Sequence, residues 1–281
     1  MTAPEQAMSG KTVLVTGATG GIGKVAAREL VGQGARVHIV GRDAGKAAAV
    51  TAEVGAAGFI VADLSEQAQV RRAAQEFRAR EGQLDVLLNN AGGVFQRRQE
   101  TREGVELTWA LNHLAYFLLT QELLELLKAA PAARVVNVSS SAHATGKMRW
   151  DDLEFRHGYS PFAAYSQSKL ANILFTRELS FRLRGTGITA NALHPGFVAS
   201  GFGRNNSAVM TRVLGLMQVF AKSEEQGAQT SVYLAANPAV QGVSGRYYSD
   251  EHEVKPQPQA LDDAAAARLW KLSEDYVGGN G

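Results

Sequence analysis

The chain has no cysteine, which excludes disulfides, a thiolate nucleophile and a cysteine-held metal, and no metal site is expected. It has no run of 18 apolar residues, so no membrane span is expected. The opening Met1-Thr2-Ala3-Pro4-Glu5-Gln6 lacks the basic and apolar regions of a signal peptide. Charge of one sign is also missing. Lys plus Arg number 29 against 27 Asp plus Glu, a formal +2 without a basic block, so nucleic acid is not expected as a partner. A soluble cytoplasmic protein is expected, although a cysteine-free chain is also compatible with export. No proline- or serine-rich linker interrupts the 281 residues, and a 45% apolar composition is enough to bury one sizeable core.

What is present is organised around Thr16-Gly17-Ala18-Thr19-Gly20-Gly21-Ile22-Gly23. The apolar run Thr12-Val13-Leu14-Val15 before it reads as a buried strand, and Lys24 to Leu30 after it has apolar residues at helical spacing. A helix that opens on glycines leaves its first N–H groups free and unshielded, which suits a pyrophosphate. The Gly-Lys of an ATP or GTP loop is absent at the required distance. A ligand-free glycine turn is the bland alternative.

Further strands are expected at Ala35–Val40, Phe59–Val61, Leu84–Leu88, Arg134–Val138, Ile188–Leu193 and near Gly245–Tyr248. They carry little polar alternation and are separated by helices, including a long one from about Glu103 to Lys128 and another from about Phe162 to Arg184. This pattern predicts an α/β, doubly wound Rossmann-type domain with a mainly parallel sheet of about seven strands and helices on both faces. Its ligand should lie beyond the C-terminal strand ends. Residues 1–10 are expected as a flexible leader and 11–281 as a single catalytic domain. Within it, 200–222 carries Met210, Val213, Leu214, Met217 and Phe220 at helical spacing. It is read as a lid over an apolar pocket, with a static amphipathic helix as the alternative. The last helix, about Asp262 to Tyr276, is either a homodimer contact or a brace.

Chemistry should come from polar residues at the strand ends. Tyr165 and Lys169 stand four apart on a helix and share one face. An ammonium beside a phenol favours phenolate and should pull the tyrosine's pKa from about 10 toward neutral pH, making it a proton donor and acceptor. A serine at the end of the fifth strand, within Ser139-Ser140-Ser141, can bond the substrate oxygen. Asn112, polar on an otherwise apolar helical face, should hold a backbone group, a water or both.

These motifs together resemble the short-chain dehydrogenase/reductase family over nearly the whole chain. Its TGxxxGxG signature is matched by Thr16 to Gly23, its NNAG by Asn89-Asn90-Ala91-Gly92, its YxxxK by Tyr165 to Lys169, and its Pro-Gly by Pro195-Gly196. The resemblance implies Ser140, the second of the three serines, as the catalytic one, with Asn112, Tyr165 and Lys169. It implies cofactor contacts from Gly17, Thr19, Gly20, Gly21, Ile22 and Gly23, from Arg42, from Asp63 and Leu64, and from Asn90, Ala91 and Gly92. Tyr165, Lys169, Pro195, Gly196, Val198 and Ser200 complete the set. Ser200 stands where the family often has a threonine. The stretches Asn137 to His143, Ser168 to Leu179 and Ser244 to Asp250 are similar to the retinol-dehydrogenase-like branch. The family's simpler members have a shorter interval between serine and tyrosine, so Lys147 to Phe162 reads as an insertion at the pocket rim, and Tyr159 as a decoy.

The implied reaction is hydride transfer between a nicotinamide and a carbonyl or alcohol carbon. Tyr165 exchanges the proton, Lys169 tunes it and holds the ribose, Ser140 orients the oxygen and Asn112 supports a water relay. The second strand ends in Gly41 rather than an acidic residue, and Arg42 follows it. NADP(H) is therefore expected ahead of NAD(H). Phe95, Phe155, Phe197, Met210, Met217 and Phe220 are expected around the cleft and no arginine clamp is evident. This points to a small apolar aldehyde, ketone or alcohol. A nucleotide-sugar epimerase or dehydratase, and a non-catalytic nucleotide-binding regulator, are the alternatives.

Overall fold

A computed structural model describes residues 7–196 and 222–278. Eight strands form one sheet: β1 Thr12–Thr16, β2 Arg36–Gly41, β3 Gly58–Val61, β4 Val86–Asn89, β5 Arg134–Val138, β6 Thr189–His194, β7 Tyr247–Ser249 and β8 His252–Glu253. Their order is β3-β2-β1-β4-β5-β6-β7-β8, and every neighbouring pair is parallel except β7 and β8. This is the Rossmann-type α/β arrangement expected from the strand and helix alternation. The order reverses between β1 and β4, and that break at the C-terminal edge is where such sheets bind ligands.

Helices cover both faces because alternate residues of each strand point to opposite sides. Leu14, Leu87 and Val135 enter one core. It is roofed by α3 Gln67–Arg78, α4 Leu107–Trp109, α5 Ala115–Glu122, α6 Leu124–Ala129, α7 Pro161–Arg182 and α9 Asp263–Gly278. Val13, Val15, Val86, Leu88 and Val136 enter the other. That one is roofed by α1 Gly21–Gly32, α2 Ala44–Val54 and α8 Glu224–Ala236. Met8, inside the stretch expected as leader, is 4% exposed in this second core and its N–H donates to Gln33 O at 2.9 Å.

The long helix expected from Glu103 is built differently. Residues 101–105 close a turn in which Thr101 N donates to Val105 O at 2.8 Å, with Gly104 at φ 78. The helix starts only after Glu106, whose carboxylate accepts from the N–H groups of Thr108 and Trp109 and caps α4. A π-helical turn, Ala110–Leu114, then joins α4 to α5. Asn112 sits inside it, and single widened turns of this kind occur mostly at functional sites.

α9 is a brace. Trp270 stacks on Phe175 at 5.9 Å between ring centroids and meets Phe117 edge-on at 4.9 Å. Ser273 Oγ lies 2.8 Å from His113 Nε2 in the π turn. Burial pushes that histidine down to about 3, so it stays neutral. Among the described residues no helix is long and apolar enough to cross a membrane.

Candidate active site

The glycine turn lies at the C-terminal end of β1. Gly17 and Gly21 adopt φ 66 and 56, a region open to glycine. Gly23 answers a different need. A Cβ there would lie 2.4 Å from Asn90 Nδ2 and 2.5 Å from Gly17 O. Asn90 cannot retreat freely, because its amide donates to Thr16 O at 2.8 Å and ties the turn to the loop after β4. Gly23→Ala is therefore expected to cost at least about 1–3 kcal/mol and to weaken nucleotide binding, checked by thermal denaturation and cofactor titration. Wild-type values in both would show that the turn relaxes. No side chain caps α1 and its first turn holds no acid, so the N–H groups that open the helix have no side-chain acceptor from the cap and no acid beside them. Thr19 and Gly20 complete the rim; a Cβ at Gly20 would meet nothing within 4 Å. The turn thus fits a nucleotide pyrophosphate.

Along the same edge stand the other expected residues. Asp63 accepts from Ser65 N and Ser65 Oγ at 3.0 and 2.6 Å, shaping the loop after β3, while Leu64 is buried in the core. Ala91 N donates to Thr16 Oγ1 at 3.0 Å. A Cβ at Gly92 would approach Lys169 Nζ to 3.4 Å, so glycine keeps that side of the lysine open. Gly196, next to Pro195, has φ 81 and its N–H donates to His194 Nδ1 at 3.0 Å. Val198, Ser200 and positions 200–221 of the expected lid lie outside the described residues, as do Phe197, Met210, Met217 and Phe220.

The three serines after β5 separate by their surroundings. Ser139 is buried and donates to Lys169 O at 2.7 Å, whereas Ser141 is exposed. Ser140 hydrogen-bonds Tyr165, and its Oγ also accepts from Ala142 N at 3.2 Å. Lys169 is 2% exposed, donates from Nζ to Val138 O at 3.0 Å and stands 5.6 Å from the Tyr165 ring centroid. Asn112 is fully used by its neighbours. Its Oδ1 accepts from Gly93 N at 2.8 Å, and its Nδ2 donates to Gly93 O at 2.9 Å and to Ser168 Oγ at 3.0 Å. It locks the loop after β4 to α7.

The electrostatics correct one expectation. Burial pushes the Tyr165 phenol up to about 12, against the lowering effect of Ser140, and pushes the Lys169 ammonium down to about 7. The protein alone keeps the proton on the phenol. Taking both groups out of water outweighs the expected pull of lysine on tyrosine.

The family model described as short chain dehydrogenase matches residues 11–210, which include the glycine turn, the serine, the tyrosine and the lysine. The chain belongs to the short-chain dehydrogenase family. It is 44% identical to human "Retinol dehydrogenase 12" and 42% identical to mouse "Retinol dehydrogenase 14", in each case over 96% of this chain and 87% of the relative. An uncharacterised Mycobacterium paratuberculosis protein of solved structure matches with TM-score 0.81 and 34% identity, covering 99% of this chain and 97% of that one. A Pseudomonas aeruginosa structure described as an RhlG/NADP active-site complex matches with TM-score 0.71 and 30% identity over 87% and 96% of the two chains.

Sequence reasoning missed several parts of this short-chain dehydrogenase site. Asn89 Nδ2 donates to Asn137 Oδ1, Asn137 Nδ2 to Thr176 Oγ1, both at 2.9 Å, and Asn172 Nδ2 to Val138 O at 3.3 Å. This buried chain of amides fixes β4, β5 and α7 together beneath Ser140. The insertion is pinned by Gln167, which accepts from Arg149 N at 2.8 Å and donates to Leu153 O at 2.7 Å. Phe155, expected at the cleft, is buried within the insertion, with the Arg149 guanidinium 4.5 Å over its ring. Tyr159 donates to Phe95 O at 2.8 Å, which holds the insertion against the loop after β4. Phe162, one turn before Tyr165, is 59% exposed, an apolar side chain left at the open end of α7.

Proposed function

We propose that this member of the short-chain dehydrogenase family is an NADP(H)-preferring oxidoreductase that interconverts an apolar aldehyde or ketone and its alcohol. The observation that carries this reading is the convergence of Ser140, Tyr165 and Lys169 at the strand edge that also presents the uncapped start of α1. When bound there, nicotinamide supplies the hydride chemistry. Tyr165 gives the carbonyl oxygen its proton, or takes it back from the alcohol, and its raised pKa keeps the phenol protonated at neutral pH. Ser140 bonds the same oxygen and stabilises phenolate when the proton leaves. Lys169, loosely protonated near neutrality, accommodates that charge and would hold the nicotinamide ribose. Asn112 keeps the loop at Gly93 registered against α7 so that these groups stay in line. The names of the retinol dehydrogenases support an apolar, isoprenoid-like skeleton, as does the exposed Phe162.

Three features of this chain and one related structure support NADP(H). A Cβ at Gly41 would lie 2.2 Å from Thr19 Cγ2, so an acidic side chain there would displace Thr19. Asp43 is engaged as the cap of α2, accepting from Lys46 N at 2.9 Å. Arg42 is exposed and has no carboxylate partner among the described residues. The related Pseudomonas structure holds NADP. Wild type should therefore show higher kcat/KM with NADP(H), and R42A should lower the NADP(H) value by about 10- to 100-fold with a far smaller effect on NAD(H). Equal losses with both cofactors, or a wild-type preference for NAD(H), would sink this reading.

A further inference from the structure

We propose that His143 and Tyr247 are positioning residues that hold Ser140 in place for its hydrogen bond to Tyr165; this rests on the reading of Ser140 and Tyr165 as the reacting pair. Ser140 begins the short 3-10 turn Ser141–Thr145 in extended conformation, so its side-chain direction depends on what fixes its backbone. His143 Nδ1 lies 2.7 Å from Ser140 O, and the Tyr247 hydroxyl lies 3.5 Å from the same oxygen and 3.2 Å from Nδ1. The two rings meet edge-on at 4.9 Å. A carbonyl oxygen only accepts, so Nδ1 carries the proton. Nε2 is then the acceptor, and Gln257 N donates to it at 3.5 Å. The two contacts select the same tautomer. The turn is held from outside as well, since Gln259 Nε2 donates to Gly146 O at 2.7 Å and a Cβ at Gly146 would strike Ser166 O on α7.

The charge environment lets this device work without titrating itself. Facing His143 are Tyr247 from β7 and His194 from β6, with Asp250 and Lys222 beyond His194. Burial lowers both histidines, so both are neutral at neutral pH. Facing Tyr165 are Lys169 on its own helix, Ser140 from the end of β5, Tyr116 from α5 and Tyr247 from β7. Ser140 is the neighbour that favours its phenolate. Loosening Ser140 should therefore make Tyr165 harder to ionise.

The test is the pH dependence of carbonyl reduction by the full chain, with NADPH and decanal, cyclohexanone or all-trans-retinal. In this direction the alkaline loss of rate follows proton loss from the Tyr165–Lys169 pair, which titrates as a unit and which a loosened Ser140 makes harder to ionise. H143A should move that midpoint upward by about one pH unit and lower kcat about tenfold, with KM for NADPH little changed. Y247F, which removes only a hydroxyl, should move it the same way by less. H143N places an amide nitrogen where Nδ1 stands and cannot titrate, so it should return the midpoint to the wild-type value. An unmoved midpoint in both H143A and Y247F, or an equal displacement in H143N, overturns the proposal. S140A separates the two levels. An inactive S140A beside an unmoved H143A midpoint defeats positioning alone. A fully active S140A, or wild type inert toward all three carbonyls, defeats the underlying reading and the proposal with it.

Discussion

Replacing Tyr165 by phenylalanine is expected to lower kcat by about 10²- to 10⁴-fold while nicotinamide-cofactor affinity stays near wild type. The substitution keeps the ring, which fills its place against Lys169 at 5.6 Å, and deletes only the hydroxyl that Ser140 bonds. Binding by titration and chemistry by single-turnover reduction separate the two effects. A Y165F protein with wild-type turnover would remove this residue from the reaction, and a large loss of cofactor affinity would recast it as a binding residue.

Lys169→Met is expected to abolish turnover yet raise stability by a few kcal/mol in neutral and acidic solution. Burial holds this ammonium at about 7, against an ordinary 10.5. The folded state therefore binds its proton less tightly than the unfolded chain does. The destabilisation is fully present below pH 7, fades as pH rises between the two values, and is gone above 10.5. Denaturant titrations of wild type and variant should accordingly diverge at low pH and converge at high pH. A constant difference across that range would mean that lysine's shape, rather than its charge, sets the effect.

The parts of this molecule legible in the sequence are those written in neighbouring residues. Buried runs such as Val13-Leu14-Val15, glycine clusters at strand ends and the Tyr165–Lys169 spacing each act within one or two turns of chain, and their strands and helices lie within a few residues of expectation. The selection of Ser140 needed a family resemblance, because only the fold shows Ser139 turned to the backbone of α7 and Ser141 exposed. Three features left no local trace. The π turn depends on Asn112 reaching Gly93 and Ser168. The start of α4 depends on Glu106, buried beside Glu154, whose carboxylate accepts from Glu106 N at 3.0 Å across 48 positions. β8 follows Asp250 and Glu251, two non-glycine residues at φ 51 and 65, where polar sequence gave no strand signal. The Lys169–Tyr165 electrostatics are not legible in the sequence for a related reason. Spacing tells that two groups meet, whereas the degree of burial that sets their protonation is a property of the finished fold.

The brace formed by α9 sets an order of events during synthesis. Its attachments span most of the chain: Ser273 to His113 across 160 positions, Val277 O to Arg71 across 206 and Tyr276 O to Gln67 across 209. As the polypeptide leaves the ribosome, β1 to β5 and the glycine turn precede α9, so Phe117 and Phe175 are made before Trp270. Until α9 is added, the segment that follows Asn112 lacks the cover that Trp270 gives Phe117. Such long-range closure is slow, because contacts between residues far apart in sequence carry the largest loop-closure cost.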